Sequence, residues 1–61
     1  MTFRGWSVEA VDSCGTTVLS VHCPDGHEVP SDGAGCPWCW KRTPARIVAE
    51  IDRLVDEGAV G

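Results

Sequence analysis

The chain has 61 residues, enough for one small domain that buries only about 60% of its unfolded surface. Nine acidic residues against five basic ones give a net charge of −4, which disfavours broad contact with nucleic-acid phosphates. No apolar run approaches the roughly 20 residues of a membrane helix, and the first ten residues lack a signal peptide's apolar stretch, so a reducing cytoplasm is the expected location.

From Gly5 to Val11 the apolar residues alternate, placing Trp6, Val8 and Ala10 on one face. Asp12, Ser13, Cys14 and Gly15 carry turn chemistry, with glycine at the last position. Thr16 to His22 is rich in β-branched residues and alternates at Thr17, Leu19 and Val21. The two runs predict an N-terminal β-hairpin. Cys23 to His27 then forms a tight loop, Glu28 and Val29 predict a short returning strand, and Pro30 to Gly35 is a loop. Cys36 to Cys39 makes a second tight loop. The spacing of Ile47, Val48, Ile51, Leu54 and Val55 predicts an amphipathic helix over 44–57, with Thr43 as N-cap and Pro44 at the first helical position. Gly58 terminates it in the left-handed conformation. Arg46–Glu50 and Arg53–Glu57 are charge pairs four residues apart on its solvated side. The expected fold is therefore a small zinc-stabilised α+β domain, with hairpin and metal loops over 5–42 and the helix over 43–58.

The cysteines supply the zinc part of that expectation. Cys23-x-x-x-His27 is followed, after an eight-residue spacer, by Cys36-x-x-Cys39. Zinc takes four tetrahedral ligands from thiolate and imidazole. Ligands two or three residues apart reach one ion only if the backbone turns sharply, and Pro24, Gly26 and Pro37 favour such turns. A structural zinc contributes roughly 10–16 kcal/mol in finger-like peptides, a staple of the size so short a chain needs. The ligand set read here is Cys23, His27, Cys36 and Cys39, with Zn2+ as the cofactor. Four protein ligands leave no open position, so the metal is structural and no enzyme is expected. A pair of disulfides, or a redox dithiol at Cys36-Pro37-Trp38-Cys39, stays open as an alternative. Cys14 is an alternative to His27 as a ligand, and His22 is a surface or packing histidine on the face opposite Cys23.

Val21 to Trp40 resembles a zinc ribbon, through Cys23-Pro24-Asp25-Gly26-His27 and Cys36-Pro37-Trp38-Cys39. It is also similar to the core domain of the actinobacterial RNA-polymerase-binding transcription activators. There a ribbon is followed by a basic linker and a helix that engages a sigma factor. Lys41, Arg42 and Arg46, with the helix from Pro44, take those places here. The spacer is shorter than in that family, and Trp40 stands where ribbons usually carry glycine. The resemblance implies a ribbon fold and a partner in the transcription machinery. A treble-clef-like arrangement, with the helix supplying or abutting the last ligands, is the other expected fold.

Three functional readings follow. Trp38 and Trp40 flank Cys39; one is expected to pack beneath the zinc loops and the other to anchor a protein partner. The unused part of the helix stripe offers a homodimer contact. Lys41, Arg42 and Arg46 beside Trp40 form a candidate surface for a nucleic acid, which would stack on the indole. The third reading is a small subunit of a larger assembly, such as a phage particle. The carboxylates at Asp25, Glu28, Asp32, Asp52, Asp56 and Glu57 read as solvated surface, with no Ser/His/Asp set among them.

Overall fold

Alternation decides which face of the hairpin is buried. In the computed structural model, which describes residues 1–60, β2 (Trp6–Ser13) and β3 (Thr16–His22) pair antiparallel, with Val8 opposite Val21. Gly61 lies outside the described residues. Trp6, Val8 and Val21 point to one side and meet Ile47 and Ile51 of α1 (Ala45–Asp56). Val29, Cys23 and Cys36 complete this core. Burying each aliphatic side chain contributes roughly 1.5–3 kcal/mol, and there are few of them. The metal loops are thus part of the core and not an appendage to it.

A third strand, β1 (Thr2–Phe3), precedes the predicted hairpin and gives the sheet order β1-β2-β3. It is too short to alternate visibly, and the turn at Arg4 and Gly5 sets its pairing with Trp6 and Ser7. The β2–β3 turn also differs from expectation. Its central residues are Cys14 and Gly15, both at positive φ (50° and 78°), so β2 runs on to Ser13. That two-residue geometry matches the right-handed twist of the strands, which a turn over residues 12–15 would splay.

The returning strand at Glu28 and Val29 reduces to one bridge between Glu28 and His22. Val60 adds a parallel bridge to Val18, exchanging hydrogen bonds of 2.8 Å with Thr17 and Leu19. Both bridges cover stretches of the β3 edge that would otherwise be free to pair with another chain.

The helix starts one residue later than the periodicity predicts. Pro44 takes φ −61°, which a helix accepts, but ψ 149° keeps it extended, so it is the N-cap. Its carbonyl accepts from Ile47 and Val48 N–H, and no side chain caps the end. Thr43 is held outside, where a residue preceding proline avoids the helical region, and its hydroxyl is buried without a partner. At the other end Gly58 N–H bonds to Val55 and Ala59 N–H to Leu54, the double closure of a Schellman motif.

Three packing expectations are corrected. Ala10 is exposed because its methyl group borders, without filling, a shallow depression of about 160 Å³ that Leu54 of α1 and Ala59 also line. Val55 is also exposed, lying about 80° round the helix from Ile47 at the edge of the stripe. Arg46 does not pair with Glu50, because Arg53 holds both Glu50 (2.6 Å) and Glu57 (2.9 Å). Among the described residues no helix is long and apolar enough to cross a membrane.

Candidate metal centre

The first loop leaves the end of β3. Cys23 N–H bonds to the His27 carbonyl (3.0 Å) and Gly26 N–H to the Cys23 carbonyl (2.9 Å), which bends the chain back on itself. In the second loop Trp40 N–H bonds to the Cys36 carbonyl and Cys36 N–H to the Lys41 carbonyl, both at 2.9 Å. These closures aim the side chains of Cys23, His27, Cys36 and Cys39 at one point.

The four ligand atoms lie within 4.8 Å of one another. His27 Nδ1 is 3.4 Å from Cys23 Sγ and 3.7 Å from Cys36 Sγ, and Cys39 Sγ is 3.8 Å from Cys23 Sγ. A tetrahedral zinc with ordinary Zn–S and Zn–N bonds has ligand–ligand edges of about 3.5–3.8 Å. Nδ1 is the histidine nitrogen turned to the sulfurs. Cys23 and Cys36 are buried, and Cys39 is half-buried.

The charge state of the thiols favours a cation. Burial opposes ionisation of Cys23, but backbone hydrogen bonds at His27 and Asp25 outweigh it and hold the thiol below its ordinary value. Cys36 is lowered in the same way, by the backbone at Cys39 and Trp38 against burial. At Cys39 a backbone hydrogen bond at Lys41 favours the thiolate, but burial and the neighbouring Cys36 and Cys23 push the thiol up to about 11. Two sulfurs are prepared for ionisation and the third resists joining them. A metal cation at the centre removes that resistance.

The alternative ligand sets do not assemble. Cys14 is an exposed free thiol at the tip of the β2–β3 turn, and His22 sits on β3 opposite Ser7, outside the group. All four cysteines are free, and Cys23 and Cys39 are separated by far more than a disulfide bond. A thioredoxin-like dithiol needs a helix starting at the first cysteine, whereas α1 starts at Ala45. The helix supplies no ligand to the group.

Around the centre, two contacts had no local signal in the sequence. Lys41, expected on a partner surface, is bonded to Asp25, and so ties the second loop to the first. That bond holds the Asp25 carboxyl below its usual value and the Lys41 ammonium above its own. Gly35 is buried at φ 96°, and a Cβ there would lie 2.6 Å from the Lys41 carbonyl oxygen. Trp38 and Trp40 are both exposed, at 69% and 84%, so neither packs beneath the loops; the core tryptophan is Trp6. The interior of the second loop is filled by sulfur, and an indole there has only the outside to occupy. Arg42 and Arg46 are exposed as well.

No family model, no curated protein and no solved structure matches the chain. Fold and site define it as a small α+β protein with a Cys3His group suited to a metal ion, zinc being the typical occupant.

Proposed function

We propose that the chain is a zinc-ribbon-type binding module without catalytic activity. In this reading one Zn2+ held by Cys23, His27, Cys36 and Cys39 fixes a surface for a protein partner. The convergence of four ligand atoms within 4.8 Å carries it. Four protein ligands saturate zinc, so the ion organises structure and has no position for substrate. The first loop leaves a strand as a ribbon's does, which favours the ribbon over a treble clef. RNA polymerase or a sigma factor is the partner class that the sequence resemblance favours, and that step is fold-level analogy. A homodimer through the exposed Val55 side of α1 is compatible with the same module.

A nucleic-acid reading has one observation in its favour, the exposed Trp40 two residues before the exposed Arg42. Lys41 weakens it, being engaged by Asp25. Native mass spectrometry tests the module directly. One zinc per chain, lost in His27→Ala and kept in Cys14→Ser, is the expected result. A metal-free wild type at a mass two or four daltons below the reduced value would replace the zinc centre with disulfides.

A further inference from the structure

The two edges of the sheet end differently. Glu28 and Val60 bridge to the edge of β3, whereas β1 covers the edge of β2 only as far as Val8. The Met1 amino group donates to the Val8 carbonyl at 2.8 Å and Val8 N–H to the Met1 carbonyl at 2.9 Å, so the backbone groups of Val8 face away from β3. Backbone groups alternate sides along an antiparallel strand. Those of Ala10 and Asp12 therefore face the same edge, where no backbone group among the described residues pairs with them. Every residue from Glu9 to Ser13 is exposed, while Trp6, Ser7 and Val8 are buried or half-buried.

A row of apolar side chains runs up to this open edge. Val11 lies opposite Val18, and Val18 is bridged to Val60. Paired residues share a face and neighbours along a strand alternate, so the three valines lie on the face opposite Val8 and Val21, and all three are exposed.

We propose that β2 pairs antiparallel with β2 of a second copy of this chain, about a two-fold axis at Val11. The free backbone groups and the charges select that register. With Val11 facing Val11 of the second copy, Ala10 of each copy lies opposite Asp12 of the other, and every free N–H and C=O of both edges finds a partner. Glu9 then faces Ser13, so no carboxylate lies opposite another. The Val11 pair is of the non-hydrogen-bonded kind, whose side chains approach most closely, and it joins the two valine rows into one. A register that opposes Asp12 with Asp12 sets like charges against each other. One that opposes Ala10 with Ala10 sets Asp12 against Val8, whose backbone groups Met1 already holds. The edge charges at Glu9 and Asp12 thus discourage indiscriminate pairing and leave one self-complementary arrangement. With the β3 edges covered, association closes at two copies. Only the folded sheet is needed, so this contact is independent of what the metal loops or α1 bind. It spans less than the roughly 1,200 Å² of a standard interface, so the dimer forms at high concentration.

The test is sedimentation equilibrium of the zinc-loaded full chain under reducing conditions, at concentrations up to about 1 mM. Wild type and Cys14→Ser are expected to dimerise equally, with no larger species. Val11→Lys places like charges face to face at the axis and should weaken dimerisation roughly tenfold. Ala10→Pro should weaken it as much, because it removes an N–H that the chain itself does not use and proline is tolerated on an edge strand. Val11 is exposed, so Val11→Lys keeps the test decisive even where Ala10→Pro fails to fold. Val55→Lys on α1 should leave the dimer unchanged. In the Cys14→Ser background, Val11→Cys should cross-link two copies on mild oxidation and Ser13→Cys should not. A wild type that stays monomeric overturns the proposal, as does a dimer that Val11→Lys leaves intact or that Val55→Lys abolishes. Cross-linking through Ser13→Cys in preference to Val11→Cys overturns it as well.

Discussion

Two residues flanking the second metal loop, Gly35 and Trp40, both take positive φ, but only one of them has the side chain that geometry suits. At Trp40 the conformation suits glycine, and the residue present is one of the largest. Replacing it should relieve about 1 kcal/mol of strain while forfeiting little burial. We expect Trp40→Gly to raise the stability of the zinc-loaded protein by about that amount in chemical denaturation; unchanged or lower stability would mean that the indole packs more than its exposure indicates. At Gly35 the residue matches the geometry. A Cβ there meets the Lys41 carbonyl at 2.6 Å, and that carbonyl accepts the Cys36 N–H that closes the loop. Gly35→Ala must displace backbone and not the flexible end of a side chain. The expected loss is on the order of 2–3 kcal/mol with faster zinc transfer to a chelator, because the shift reaches the ligand next in sequence.

The helix offers the contrasting glycine. Gly58 has φ 107° but open space where a Cβ would go, so Gly58→Ala carries only the conformational penalty, about 1 kcal/mol, readable as a lower melting temperature with zinc content unchanged. This stop was legible because a Schellman end is written locally: glycine follows the last apolar position, and Ala59 folds back on Leu54. The hairpin was legible for the same reason, since alternation at Trp6 and Val8 and at Leu19 and Val21 reports a buried face. The convergence of Cys23, His27, Cys36 and Cys39 was legible because each pair needs only a local turn. What escaped was non-local or too short to carry a period. β1 has two residues, Val60 pairs with a strand some forty positions earlier, and Asp25 meets Lys41 only after both loops have closed. One loop tryptophan was expected outside; that the second lies outward too was missed, because hydrophobicity alone predicts burial. The loop's inside is already occupied by the ligands, and no local pattern states that.

At the scale of the whole molecule, the candidate metal group and the core share one buried cluster. Cys23 and Cys36 belong to the same buried cluster as Trp6, Val8, Ile47 and Ile51. Removing the ion leaves thiols of conflicting ionisation in the middle of that cluster. Chelation is therefore expected to abolish the folded near-ultraviolet signal of Trp6 and to collapse amide exchange protection throughout the sheet; a chelated chain that keeps both would show that apolar burial suffices alone. The pH dependence has a definite sign. Without metal Cys39 holds a proton near neutrality, in the unfolded chain at the ordinary thiol value of about 8.5 and in any residual folded arrangement at about 11, and zinc must displace it. Each displaced proton makes apparent affinity rise about tenfold per pH unit, so affinity should climb about that steeply or more from pH 7 to about pH 8 and fall on acidification. Asp25 acts in the same direction at lower pH. Its carboxyl is depressed below 3.8 by Lys41, so the link between the loops is intact above that value and is lost as pH falls through the folded-state pKa. Chelator competition around neutral pH reads the displaced thiol proton. In Cys39→Ser the rise through about pH 7–8 should flatten by about one proton, since the hydroxyl that replaces the thiol does not ionise there. An unaltered slope would move the displaced proton to another ligand and leave Cys39 outside the coordination sphere.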